Sequence, residues 1–316
     1  MALTLEQAQQ LSQNKLTGHV IDEFRKSPLL DMLTFDNTVK PQGGKTLAYV
    51  YDRITTLPTA AGRALNTEYV PQETAATQFT VNLKIFGGSF EIDRVLADDE
   101  VQVVDHVMFQ MAQKVKATRA KFHDMFINGD AGIGDGTDFD GLDKALTGSS
   151  TELIPETAID LSGSAAITSN WQSFLDTLRL LRSLMDGAPT MYLMNGAMFA
   201  KFQSVMDRAG INQITKANYG DEVFGWGSSI VAAMGDKPGT SNPVVEIGSN
   251  VTSIFAVRLG LDGVHGVSPD GSKIVRQFLP DMKSPGAVKK GEVEMVAAMA
   301  VEATRSAAVL RNVKIV

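Results

Sequence analysis

Residues 46–128, TLAYVYDRITTLPTAAGRALNTEYVPQETAATQFTVNLKIFGGSFEIDRVLADDEVQVVDHVMFQMAQKVKATRAKFHDMFIN, decide the reading of the fold. Leu47, Tyr49 and Tyr51 alternate with small or polar residues, and Phe79, Val81, Leu83 and Ile85 alternate with Thr80, Asn82 and Lys84. Period two of this kind predicts two half-buried strands, the stems of a long hairpin. Between them, residues 53–78 are rich in Thr and Ala and carry only scattered large apolar side chains. A loop of that length without an apolar face cannot bury itself, so it is expected to lie on another subunit; a flexible surface insertion is the competing reading.

The hairpin runs directly into a helix. Val101, Val104, Met108, Met111, Val115, Phe122 and Met125 recur in three-then-four spacing with Thr118 in the gap, which predicts one apolar stripe along about seven turns, roughly 40 Å. Lys114, Lys116, Arg119 and Lys121 fall mostly off that stripe. Asp99 with Gln102 forms the expected N-cap, Glu100 sits in the positive first turn, and Gly129 is expected to give a left-handed exit.

Past the helix, residues 128–141 (NGDAGIGDGTDFDG) read as turns, and residues 142–154 as an irregular segment. Trp171, Phe174, Leu175, Leu178, Leu181 and Met185 mark a second helix, residues 191–194 a short buried strand, and residues 197–208 a third helix ended by Gly210. Helix, strand and helix in that order predict an α/β layer, completed by β-rich runs at 229–234, 244–247 and 253–257. Residues 292–303 and 307–315 resume extended patterns and are expected to return to the long-helix domain. Neither an internal repeat nor a coiled coil is visible.

Composition bounds the function. A chain of 316 residues, 44% hydrophobic and 21% charged, is ordinary for a soluble protein with one large or two moderate cores. A net charge of −7 disfavours a nucleic-acid reader, which needs a basic patch, but allows a wall that contains nucleic acid without adhering to it. With no cysteine there is no disulfide, thiolate catalysis or iron–sulfur ligation, so stability must come from packing and subunit contacts. Residues 1–16 are too polar for an export signal, and no window is apolar enough to cross a bilayer.

Enzymatic signals are weak. His19, His106, His123 and His265 are the only histidines, and His123 followed by Asp124 could resemble a base and its orienting carboxylate; a helix-surface or interface histidine is the favoured reading. No GxSxG elbow occurs, and GDAGIGDG follows a helix and lacks the Gly-Lys-Ser/Thr ending of a phosphate loop. Asp130, Asp135, Asp138, Asp140 and Asp143 could attract a hard cation, but they lack EF-hand spacing, and turn formation is favoured. No catalytic residue, cofactor site or metal site is predicted. The 14 methionines, Met108, Met111, Met194 and Met206 among them, read as adaptable core packing, and Trp171 and Trp226 as core or contact residues.

The order of these elements is where a resemblance enters. The hairpin and helix of residues 46–128, the GD-rich turn before Gly141-Leu142, then YLMNGAMFAKFQSVM, SNVTSIFAVRLGLDGVHGV and EVEMVAAMAVEATRSAAVLRNVKI together resemble the major capsid protein of tailed bacteriophages over most of the chain. The resemblance implies an α+β fold, shared with encapsulins, with an N-terminal arm (1–45), an extended β-hairpin loop (46–90), a peripheral domain with a long spine helix (91–165 and 285–316) and an α/β axial domain (166–284). It implies a subunit that self-assembles into pentamers and hexamers of an icosahedral shell around double-stranded DNA. Scaffolding, portal and possibly decoration proteins would be partners, in a virion assembled in host cytoplasm. Intersubunit contacts are expected from Arg53, Leu57, Pro58, Arg63, Glu68, Tyr69 and Glu73 of the extended loop, with ion pairs from its four charges, and from Lys237, Pro238 and Asn242 of an axial loop. Some relatives weld their shells through a loop lysine; residues 53–80 contain none, and Lys45 and Lys84 lie only at the base. An encapsulin-type nanocompartment shell is the nearest alternative, and a metal-dependent enzyme a distant one.

Overall fold

A computed structural model describes residues 29–316 except 40–43, 55, 57, 72, 98–105, 134, 212–213, 217–221, 272–273 and 282. In chain order the elements are α1 (Leu29–Met32), β1 (Phe35–Asn37), β2 (Ala48–Ile54), β3 (Ala76–Asn82), β4 (Lys84–Asp93), α2 (Arg94–Ala97), α3 (His106–Asn128), α4 (Leu142–Leu146), β5 (Glu152–Leu153), β6 (Ile159–Asp160), α5 (Ser164–Leu184), β7 (Met191–Met194) and α6 (Gly196–Ala209). They continue with β8 (Ile214–Lys216), β9 (Glu222–Trp226), β10 (Ser229–Ala233), β11 (Ile247–Gly248), β12 (Val251–Val257), β13 (Val264–Ser268), β14 (Val275–Phe278), β15 (Val288–Val301) and β16 (Ala307–Lys314).

Three sheets form among the described residues. The central one runs β5-β16-β12-β7-β10-β9-β8, with β6 beside β16 and β11 beside β12. A second is built on β15, which pairs with β4 along one edge and with β14 and then β13 along the other, β1 adding to β13. The third is the β2–β3 hairpin alone, in register from Ala48 opposite Asn82 to Ile54 opposite Ala76.

The central sheet is buried on both faces, which is why MYLM in β7 is a continuous apolar run without alternating polarity. Tyr192 and Met194 face α5 and α6, in a cluster with Phe174, Leu178, Phe202 and Met206. Met191 and Leu193 face the other way, toward Phe126, Met295 and Val309. Each such large side chain contributes about 1.5–3 kcal/mol of transfer free energy. Helix α6 is well stopped at both ends: Asn195 Oδ1 accepts from Met198 N at 2.7 Å, and Gly210 takes a left-handed φ of 68°. Trp226 packs on Tyr192 and Phe202, with ring centroids at 5.3 and 6.4 Å.

Helix α3 has two distinct halves. Its first half lies on the β4–β15 ribbon through Val107, Met111 and Val115, which meet Phe90 and Val293. Met108 is therefore 57% exposed and not in the core, because the seam runs through 107, 111 and 115, about 100° round the helix from residue 108. The second half is wedged between the two sheets, and Phe122, His123, Met125, Phe126 and Ile127 are buried over more than half of the circumference. That is why His123, expected at a surface or interface, lies in the core: a single apolar stripe describes a helix packed on one side only. Burial, helped by the neighbouring Arg119 charge, lowers its pKa to about 4. Residues 99–104, with the expected N-cap and the start of the stripe, lie outside the described residues.

Three further expectations change. Gly129 is not left-handed; it is glycine because a Cβ there would overlap the Phe139 carbonyl and lie 2.5 Å from the Met125 carbonyl. Gly141 meets it from the other side, donating to Gly129 O at 2.8 Å, and its own Cβ would lie 2.6 and 2.7 Å from the Met125 and Ile127 carbonyls. Residues 142–154 are not irregular, since they hold α4 and β5. Of the C-terminal strands, β15 packs against α3, whereas β16 crosses to the central sheet and pairs with β12 on one side and β5 and β6 on the other.

Two measurements check this packing. Gly129→Ala should cost roughly 2–4 kcal/mol in denaturant unfolding, as a backbone overlap in the core, while Gly62→Ala, with open space around it, should stay within about 0.5 kcal/mol. A buried neutral histidine whose folded pKa lies below its unfolded value stabilises the fold above the unfolded value, and that contribution is lost as pH falls. Between pH 6.5 and about 4 the stability of the wild type should therefore drop, and His123→Leu should flatten that part of the curve.

Candidate assembly surface

The extended hairpin is fixed at its root and open at its tip. On the inward face of β2, Tyr49, Tyr51 and Arg53 point together onto the end of β15. Tyr49 Oη lies 3.0 Å from both Asp36 Oδ2 and Glu302 Oε1. Tyr51 Oη donates to the Val301 carbonyl at 2.9 Å, and Arg53 Nε to the Glu302 carbonyl at 2.8 Å, with a further Arg53 bond to Val301 O. The Arg53 guanidinium also covers the Phe79 ring at 4.4 Å, and Phe79 stacks on Tyr51. Burial raises the Tyr49 pKa, reinforced by its bonds to Asp36 and Glu302, so the phenol stays a donor across the physiological range.

Beyond Ile54 and Ala76 this support ends. Every described residue in 58–71 and 73–78 is exposed, including Leu65 at 88%, Val70 at 82% and Tyr69 at 64%. The tip has local order of its own: Thr67 N and Oγ1 both donate to Ala64 O around a left-handed Asn66, and Arg63 reaches the Thr67 carbonyl at 3.1 Å and the Tyr69 ring at 5.4 Å. Pro58, Arg63, Glu68, Tyr69 and Glu73 thus share one projecting, solvent-facing segment, and Leu57 lies outside the described residues. Arg53 does not join them. It stands on the same strand face as Tyr49 and Tyr51 and spends its donors on its own chain, a placement the period of two already implied.

The turn at 235–243 is held back onto the body of the molecule. Lys237 N donates to Asn242 O at 2.8 Å, and Lys237 Nζ lies 2.5 Å from Glu246 and 3.8 Å from Asp124 of α3. Burial disfavours its ammonium, but the Glu246 bond and the Asp124 charge outweigh it and raise the pKa. Pro238 is half-buried and Asn242 exposed.

The aspartate-rich turn is divided among cations of its own chain. Lys144 bridges Asp130 and Asp140 at 2.5 and 2.8 Å, Lys121 takes Asp138 at 3.0 Å, and Arg311 takes Asp143 at 2.6 Å. Among the described residues no group of three or more His, Cys, Asp or Glu is arranged to hold a metal ion, and no helix is long and apolar enough to cross a membrane. Sequence reading missed Asp36, His265 and Glu302 at the hairpin root, since they come from three distant segments and only the pairing of β1, β13 and β15 brings them together.

No protein-family model and no curated protein sequence matches the chain. Solved structures do. The holo-SrpI encapsulin complex from Synechococcus elongatus PCC 7942 superposes with a TM-score of 0.63 at 15% identity, covering 99% of this chain and 97% of that one. The capsid of the myovirus XM1 gives 0.57 at 9% identity over 94% and 96% of the two chains. The capsid of a native GTA particle gives 0.56 at 14% over 98% and 100%. The chain therefore has the mixed α and β fold shared by tailed-phage capsids and encapsulins, matched over nearly its full length.

Removing the Arg53 clamp tests the root. Arg53→Ala should lose about 1–3 kcal/mol of local protection, seen as faster amide exchange in β2 and β3 with β7 and β12 unchanged.

Proposed function

We propose that this chain is the structural subunit of a closed protein shell, and specifically the major capsid protein of a tailed phage, forming pentamers and hexamers of an icosahedral particle around double-stranded DNA. The observation that carries the reading is the segment 58–71: exposed along its whole length, apolar at Leu65, Tyr69 and Val70, and borne on a root with several hydrogen bonds. Isolated chains seldom keep such a segment without a partner to cover it. A neighbouring copy supplies that cover in a ring of heterologous contacts, which closes when the curvature suits. The shared fold of the capsid structures supports the same reading.

On this reading residues 1–45 are an N-terminal arm, 46–90 the extended loop, 91–165 and 285–316 a peripheral domain and 166–284 an axial domain, with β16 crossing from the peripheral segment into the sheet of the axial one. Arg63, Glu68, Tyr69 and Glu73 meet the neighbour, with Pro58 and Leu57 at the near end of the contact and Lys237, Pro238 and Asn242 at a second one. Exposed ion pairs are worth about 0–1 kcal/mol each, so the loop acts through area and register more than through charge. Arg53 sets the direction in which the loop leaves its own subunit. Separate scaffolding, portal and decoration proteins would complete a virion built in the host cytoplasm, and assembly asks no chemistry of the chain.

A second reading, the shell of an encapsulin-type nanocompartment, is favoured by the TM-score of 0.63 to the encapsulin complex. Purified particles distinguish the two: packaged DNA supports the capsid, and protein cargo without DNA the nanocompartment. Deletion of residues 57–71 should leave a folded subunit, with unchanged circular dichroism, that yields no closed shells by size exclusion and negative-stain microscopy. Normal shells from that variant would sink the proposal.

A further inference from the structure

At the root of the hairpin four ionisable or polar side chains from four segments converge: Asp36 of β1, Tyr49 of β2, His265 of β13 and Glu302 just after β15. One phenolic proton faces two carboxylates, each with an oxygen 3.0 Å from Tyr49 Oη. The His265 ring meets the Tyr49 ring edge-on, centroids 5.6 Å apart at 81°. His265 is fully buried, and neither ring nitrogen makes a hydrogen bond of good geometry, with only a weak interaction from the Gly260 backbone, an arrangement that is costly for a neutral imidazole and worse for a charged one. Of the other groups packed there, Arg53 is committed to the Val301 and Glu302 carbonyls, Tyr51 donates to Val301 O, and Phe79 is apolar.

We propose that this cluster is a proton-operated latch: when His265 takes a proton, its imidazolium competes with Tyr49 for the Asp36 and Glu302 carboxylates and releases the root of the extended hairpin from its own subunit. The proton comes from solvent and adds to a ring nitrogen; no other bond changes. A buried imidazolium must find acceptors, and the nearest anions are the two that now hold Tyr49. Losing them frees β2 at Tyr49, while Arg53 and Tyr51 remain as a pivot. The hairpin can then change its angle without unfolding the sheets beneath it.

The sign follows from burial. Burial lowers the His265 pKa, with Glu302, Asp36 and the Gly260 backbone pulling the other way. The docked root is therefore fully stabilised above the ordinary imidazole value and loses that stabilisation as pH falls below it. The latch is read from a single chain and stands whether or not the hairpin meets a neighbour; what it would control, the angle of an intersubunit loop, rests on the shell reading.

Amide exchange of the full-length chain, corrected for intrinsic rates and followed at constant assembly state from about pH 7.5 to about pH 5, tests it. The expected result is exchange on the order of tenfold faster in β2 and β3 at the acid end, with β7 and β12 unchanged. His265→Phe should abolish that response and keep the hairpin protected throughout. Glu302→Gln keeps His265 but removes one counter-charge, and should move the response to lower pH. Asp52→Asn, on the exposed face of β2, should leave it where it was. A wild type equally protected at both ends, a His265→Phe variant that still responds to acid, or a Glu302→Gln variant with an unmoved midpoint would each overturn the proposal.

Discussion

The last 29 residues hold the molecule together. Strand β15 is the middle of the sheet beneath α3, and β16, reached through a single tight turn at Thr304–Ser306, lies inside the central sheet. Two sheets joined by one short connection cannot slide apart without breaking ladders on both sides. The wedge of Phe122, Met125 and Phe126 then fills the angle between them, against Met295 and Val309. Glu302 sits at that connection, so the carbonyls and carboxylate that receive the hairpin belong to the segment that joins the two sheets.

This placement resolves an apparent conflict in the hairpin. An isolated two-stranded ribbon is marginal in water, and this one is in register over seven residues of each strand. It persists because only one of its faces needs support, and Tyr49, Tyr51 and Arg53 find that support at a fixed edge. The opposite face, with Val50 and Ile54 exposed, and the whole tip are left uncovered. On the proposed reading, a projecting element with a well-anchored root and an uncovered tip carrying Leu65, Tyr69 and Val70 would transfer its own instability to an interface, so folding and association would draw on the same surface.

Much of this was legible in sequence, for definite reasons. Period-two alternation found both stems of the hairpin, and the continuous run MYLM found a strand with two covered faces. Three-then-four spacing located α5 and α6, although α5 begins seven residues earlier, at Ser164, because a Ser- and Ala-rich first turn carries no apolar stripe. What failed were inferences that depend on a second layer. Periodicity gives one buried face per helix, so it misplaced His123, which has sheets on two sides, and Met108, which has one in a slightly different direction. Gly129 looked like a cap because it ends a helix, yet its smallness serves a backbone contact with residues 139 and 141. Arg53, expected at an intersubunit contact, lies on the inward face of β2 and bonds to Val301 and Glu302 of its own chain.

The charge distribution adds a constraint that neither fold nor pattern supplies. The excess acid is not concentrated for metal or substrate: the aspartates of the 130–143 turn are paired off against Lys121, Lys144 and Arg311, each tying that turn to α3, α4 or β16. Such half-exposed pairs add little stability individually, but they set the turn's geometry and leave no free cationic stripe along it. If the chain is the shell subunit proposed above, a net charge of −7 per copy would repel nucleic acid over about a Debye length, roughly 10 Å in ordinary salt, and a packaged polymer would be confined without being bound.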